Sequence, residues 1–295
     1  MSFYVPRPGD ILSHDIADYP EGIVLPVDKP YRWTSADVIR KLKWKAIRHF
    51  GKKNLKVGHA GTLDPLATGI LLVCIGDACK KAQMLQDHDK EYIAGIRFGA
   101  TTPSYDLEKD VDRRFPCEHI TADAVRNALP AFLGEQEQVA PLFSAKSVDG
   151  VRAYELARKL YRQQQAGVVI PGSDRESQFD ATALDSLQRN KINISDLELL
   201  EFGDSSSPAA PQNDSSASSR INVADTSGLG LPEARVRIAC SKGTYIRAFA
   251  RDLGEALGSG AHLSALIRSR SGDFAIKDAL SLEDALGLFD QAQSL

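Results

Sequence analysis

The chain alternates between two kinds of apolar pattern, and the points where one gives way to the other outline its elements. Val38, Ile39, Leu42, Ala46, Ile47 and Phe50 recur at three- and four-residue spacing, which predicts a helix over 35–50 with its lysines facing out. Thr34 or Ser35 can cap that helix, Asp37 lies in its first turn and Gly51 is placed to end it. Residues 121–132 read the same way, with Thr121 as cap and Val125, Leu129 and Phe132 at helical intervals. A helix is also predicted over 77–86. Phe249, Leu253 and Leu257 line another that stops at Gly258, and LSLEDALGLFDQAQSL at the end suits a closing amphipathic helix.

The second pattern is extended. LLVCI at 71–75 is too short for a stable helix and reads as a buried strand. GIVLPV at 22–27 is a short strand, while EYIAGIRF (91–98), INISDLELLEF (192–202) and ARVRIAC (234–240) alternate as strands do. Residues 99–106 form a loop and 107–116 a charged excursion. The segment 139–160 is predicted to hold a strand, a turn at Asp149 and Gly150, and an Ala-rich helix. GDSSSPAAPQNDSSASS at 203–219 has almost no bulky apolar residue. It cannot bury enough surface to offset the entropy of ordering, so a disordered hairpin tip is expected there. Residues 1–22 carry two Pro-containing turns and form an arm whose course the pattern leaves open.

Bulk composition narrows the class. A chain of 295 residues is one large domain or two modest ones, with the 43% hydrophobic and 25% charged residues of a soluble globule. No basic segment followed by an apolar one opens the chain, and no apolar run approaches the ~20 residues of a membrane helix. Cys74, Cys79, Cys117 and Cys240 lack paired metal-site spacing and read as reduced thiols in a cytoplasmic protein. A net charge of −3 argues mildly against a nucleic-acid partner, but its distribution argues the other way. From Val38 to Leu63 there is no acidic residue, while Arg40, Lys41, Lys43, Lys45, Arg48, Lys52, Lys53 and Lys56 form a block able to neutralise phosphates. The bland alternative is a solvated helix face.

That block leads into KVGHAGTLDPLATGILLVCI, where His59, Thr62 and Asp64 sit among glycines ahead of Pro65. Gly58 and Gly61 allow a tight turn or the close approach of another backbone, and Pro65 keeps Asp64 on a loop or at an element's edge. A carboxylate on a rigid loop anchored by a buried strand can be a nucleophile. It can equally be a turn cap, and local chemistry leaves both readings open.

GHAGTLDPLATG at 58–69 resembles the central motif of the TruB family of tRNA pseudouridine synthases. VDKPYRWTS at 27–35, DKEYIAGIRFGATTPSYD at 89–106 and CSKGTYIRAFARDLGEALGSGAHLSALIRSR at 240–270 resemble further family motifs in the family's order. The segment 139–160 is similar too, although its second basic position is Ser147, with Lys146 one residue earlier. The resemblance covers roughly 23–160 and 235–285.

The resemblance implies an α+β pseudouridine synthase fold: a central mixed, mostly antiparallel sheet, flanking helices and an RNA-binding cleft. It implies isomerisation of uridine to pseudouridine in the T arm of tRNA, at the uridine conventionally numbered 55. Asp64 would be the essential carboxylate, Arg247 its cationic partner and Tyr92 the ring that stacks on the extruded base. His59 would fill the gap left in the RNA stack, Tyr245 and Leu266 would wall the pocket, and Asp106 and Lys80 would lie near the RNA. Lys29 would support the loop structurally, and Arg268 and Arg270, read as surface residues, could reach phosphates. Tyr245 and Arg247 would share a face if their segment is a strand.

The expected organisation is an arm (1–22) and one catalytic domain (23–290), with no RNA-binding module of the PUA type after it. Neither a cofactor, a metal, a membrane nor a protein partner is expected, and the protein is expected to be a monomer. A tRNA-folding chaperone using the same cleft is the second reading. A hydrolase with Asp64 as acceptor ranks last, for want of a metal or phosphate-loop motif.

Overall fold

The computed structural model describes residues 3–141, 147–148, 151–152, 189–204 and 223–290. Asp149 and Gly150, the helix expected after them and the Ser/Ala/Pro-rich run beyond Asp204 lie outside the described residues.

The arm at 3–22 packs against the body. Tyr4 bridges to Ile23, and Leu12 is buried in the core. β1 (Ile23–Lys29) leads into α1 (Ser35–His49), which has a reciprocal cap between Thr34 and Asp37 as predicted. β2 (Val57–Ala60) and β3 (Ala67–Ile75) form a hairpin whose loop carries Asp64. The helix expected over 77–86 is split. A 3-10 turn (Gly76–Lys81) precedes a short α2 (Ala82–Asp87).

β4 (Lys90–Phe98) follows. The stretch read as loop and excursion holds a small pair, β5 (Ala100–Thr101) with β6 (Arg113–Arg114). α3 (Ala122–Ala128) begins at its Thr121 cap and ends in a 3-10 turn, Leu129–Phe132. Then come β7 (Gly134–Val139), the two-residue strands β8 (Ser147–Val148) and β9 (Val151–Arg152), and the long β10 (Arg189–Asp204).

β11 (Pro232–Cys240) precedes α4 (Ile246–Ala256), so Arg247 lies in the first turn of a helix rather than on a strand with Tyr245. β12 (Ala261–Ser271), β13 (Phe274–Ala275), β14 (Leu280–Ser281) and α5 (Leu282–Gly287) complete the described chain. The closing helix starts two residues later than predicted, because Leu280 and Ser281 pair with β1 instead.

One ten-stranded sheet runs in the order β14-β1-β3-β12-β4-β11-β10-β7, with β2 on β3 and β13 on β12. Among the described strand pairs only β14 on β1 and β12 on β3 are parallel, so the sheet is mixed and mostly antiparallel. β3 is buried along its whole length. Leu71, Val73 and Ile75 face the core under α1, while Ile70, Leu72 and Cys74 face a second cluster. A strand covered on both faces reads as a continuous apolar run, which is why LLVCI does not alternate. A third core joins β4, β11, α3 and α4. Tyr92 and Leu266 touch both the α1 core and the α4 core, and so mark the seam between them.

Candidate active site

The Asp64 loop sits where β3 changes neighbours. β12 runs beside its first residues, with Leu266–Arg268 opposite Ala67–Gly69, and β2 runs beside its last. Several groups fix the loop from below. Ser35, the first residue of α1, both accepts from the Leu63 amide (2.9 Å) and donates to the Leu63 carbonyl (3.1 Å). The Lys29 ammonium is fully buried and donates to the carbonyls of Trp33 (2.6 Å), Pro30 (2.9 Å) and Pro65 (3.3 Å). Burial pushes its pKa down to about 7, against the opposing pull of Asp64 and Asp28. Gly69 has φ +95°, and a side chain there would meet the Arg268 carbonyl oxygen at 2.3 Å. This is the close approach for which a glycine is needed.

Arg247 reaches Asp64 across 183 positions of sequence. Its Nε lies 2.9 Å from Oδ2, and its second terminal nitrogen donates to Oδ1 at 3.2 Å. One hydrogen bond and an ion-pair contact on the other carboxylate oxygen thus orient Asp64. Another nitrogen donates to the Ser104 carbonyl at 3.1 Å, and Asp106 Oδ2 stands 3.9 Å from Nε. Burial disfavours the guanidinium charge, yet the carboxylates of Asp64 and Asp106 outweigh it and raise its pKa. Asp64 is 39% exposed at its side chain while Arg247 is 7% exposed, so the acid faces the cleft and the base stays beneath it.

That cleft, of about 250 Å³, is lined by Asp64, Tyr92, Tyr245, Arg247 and Leu266 among others. The structure therefore brings together all three residues expected to be catalytic and both expected to wall the pocket. Gln138 pins Tyr245 by its backbone, accepting from the amide at 2.8 Å and donating to the carbonyl at 3.0 Å. Burial raises the Tyr92 phenol pKa, with Arg268 beside it pulling the other way.

The remaining candidates lie elsewhere. His59 is half-buried on β2, outside the cleft lining, with its pKa lowered by burial and then by Arg268. Asp106 is 6% exposed and is a buried neighbour of Arg247; burial raises its pKa. Lys80 is exposed on the 3-10 turn, paired with Asp77 at 2.9 Å and away from the cleft lining. Arg268, read as a surface phosphate ligand, is 1% exposed, because β12 is an interior strand. Sequence reasoning missed its place in the cleft. The signal was its spacing of two from Leu266, which puts both on one face of a strand. Lys90, two residues before Tyr92 on β4, lines the cleft for the same reason.

Among the described residues no group of three His, Cys, Asp or Glu side chains could hold a metal ion, and no helix is long and apolar enough to cross a membrane.

Residues 48–195 match the family described as TruB family pseudouridylate synthase (N terminal domain). Residues 247–293 match the tRNA pseudouridylate synthase B C-terminal domain. The chain is similar to proteins named tRNA pseudouridine synthase B. It is 45% identical to that of Phocaeicola vulgatus over 94% of this chain and 97% of the relative. It is 36% identical to that of Deinococcus radiodurans over 88% and 77%. Its fold is similar to a chain of a Cbf5-Nop10-Gar1 complex (TM-score 0.55, 24% identity, 90% of this chain). A chain of an H/ACA RNP bound to a substrate RNA containing 2'-deoxyuridine is also similar (TM-score 0.53, 22% identity, 90% of this chain). This chain spans about half the length of each of those two, 54% and 53% respectively.

Proposed function

The chain belongs to the TruB family of pseudouridine synthases, which are isomerases, and from that premise we propose that it converts uridine to pseudouridine in the T arm of tRNA, at the nucleotide conventionally numbered 55. The observation that carries the site assignment is the hydrogen-bonded ion pair of Asp64 with Arg247 at the edge of a cleft shared with Tyr92.

Isomerisation detaches uracil from C1′ of the ribose, turns it and rejoins it through C5. The target base is stacked within its loop and must first be swung out. Tyr92 then offers a ring face to it, and base–aromatic stacking is worth about 1–3 kcal/mol. Asp64 acts beside the sugar. Attack at C1′, addition to the uracil and proton removal at C2′ all require it ionised and facing the nucleotide. A base settling over the carboxylate removes water and favours its neutral form. Arg247, already desolvated and fixed, opposes that effect without reorganising. Asp106 supports Arg247 from below, Leu266 and Tyr245 hold the free uracil, and His59 fills the gap in the RNA stack. Lys80, paired away from the cleft, has no place in this set. The protein works alone on its RNA.

The test is nucleoside analysis of a T-arm hairpin incubated with pure protein. Pseudouridine should appear at the expected position, and Asp64→Asn should slow its formation by at least ~10⁴-fold, about 5.4 kcal/mol of barrier, with RNA binding largely kept. Conversion of whole tRNA at another position alone would overturn the T-arm assignment. Folding of misfolded tRNA that survives in Asp64→Asn would instead support the chaperone reading.

A further inference from the structure

Arginine is rarely buried this completely, and Arg268 directs its donors to backbone. Its Nε donates to the Ile70 carbonyl at 2.7 Å, and its terminal nitrogens to the carbonyls of Gly61 at 3.1 Å and Thr62 at 3.5 Å. Arg268 stands opposite Tyr92 in the register of β12 on β4, both line the cleft, and the guanidinium charge is felt at Tyr92, His59 and Lys90. Three separate parts of the site meet on this one group. They are the start of the Asp64 loop, the strand that the loop enters, and the ring across the cleft. A planar fork can hold several acceptors at set angles, which a single ammonium cannot. Gly69 makes the arrangement possible by letting the β12 backbone come close to β3 at Arg268.

We propose that Arg268 is a positioning residue, which sets the distance and orientation between the Asp64 loop and the Tyr92 ring through the Gly61 and Thr62 carbonyls on one side and its place opposite Tyr92 in the β12–β4 pair on the other. The inference rests on the pseudouridine synthase reading above. Removing the fork leaves the cleft walls and the RNA-binding surface in place but frees loop and ring to shift relative to each other. A misplacement of about 1 Å at reacting groups costs on the order of 100-fold in rate.

The experiment compares wild type, Arg268→Gln and Arg268→Lys for thermal melting, hairpin affinity and single-turnover rate, with Tyr92→Phe alone and combined with Arg268→Gln. Arg268→Gln is expected to lower the single-turnover rate about 100-fold while the hairpin Kd changes by less than about 3-fold. Arg268→Lys should recover part of the rate, and the losses from Arg268→Gln and Tyr92→Phe should be less than additive, as for groups acting through one another. A near-normal rate in Arg268→Gln, a rate loss matched by weaker binding, or strict additivity with Tyr92→Phe would overturn it. Failure of both Arg268 variants to fold would leave only a core role and overturn it too. If wild type makes no pseudouridine, the functional reading itself falls; if wild type and Arg268→Gln are equally active, only this inference does.

Discussion

At the scale of single residues, the site is built from charges placed where water cannot relax them. Lys29 is the clearest case, since its ammonium is fully buried yet donates to three carbonyls around the Asp64 loop. Its pKa falls from 10.5 to about 7 on folding, so between those values the unfolded chain binds a proton that the folded chain does not. Stability should therefore rise with pH through that window and be flat below it, as far as this group is concerned. Melting curves of wild type and Lys29→Met from pH 7 to 10 should diverge, wild type gaining on the variant as pH rises; parallel curves would refute the assignment. Arg247 shows the opposite balance, with two carboxylates holding its charge against burial. Asp106, one of them, drew attention in the sequence as an acid near RNA. Its burial beside Arg247 could not be read locally, because it depends on α4, more than a hundred positions away.

At the scale of elements, local sequence accounts for much. The capping box of α1, the alternation of β11 and the continuous apolar run of β3 all follow from near neighbours. The errors lie where an element's partner decides its form. Leu280 and Ser281 join β1 as a strand although their own pattern is helical, and Arg247 opens a helix. Gly69 shows how a close approach, more than a conformation, can demand one residue type. At Gly51, φ is +59° and nothing lies within 4 Å, so Gly51→Ala should cost only about 1 kcal/mol. At Gly69, positive φ is joined by an Arg268 carbonyl 2.3 Å from any added side chain. Gly69→Ala should destabilise by at least ~2 kcal/mol, lowering the melting temperature by about 4–8 °C. Equal melting shifts in the two variants would show that the β3–β12 approach is not tight.

At the scale of the whole molecule, the net charge of −3 conceals a basic stretch that leads up to the Asp64 loop. Of the eight basic residues between Val38 and Leu63, all but Lys45 are exposed, and Lys45 is held by Asp290. Hairpin affinity should fall linearly in log–log form with salt. Replacing Lys52 and Lys53 by alanine should reduce that slope by about 1 for each phosphate no longer neutralised. An unchanged slope would mark this stretch as ordinary solvated surface. What the sequence determined by itself was the helices and strands whose pattern is local, α1, α3, β1, β3, β4, β10 and β11 among them, the loop acid Asp64 and, through four motifs, the family resemblance. Those features depend on residues within a few positions of one another. Tertiary structure alone decided that Arg247 clasps Asp64, that Asp106 lies beneath them, and that Arg268 is interior, bonded to the Asp64 loop and opposite Tyr92. The reason is topological. β12, late in the chain, enters the sheet between β3 and β4, and a strand's neighbours across a sheet leave no mark on its own local pattern.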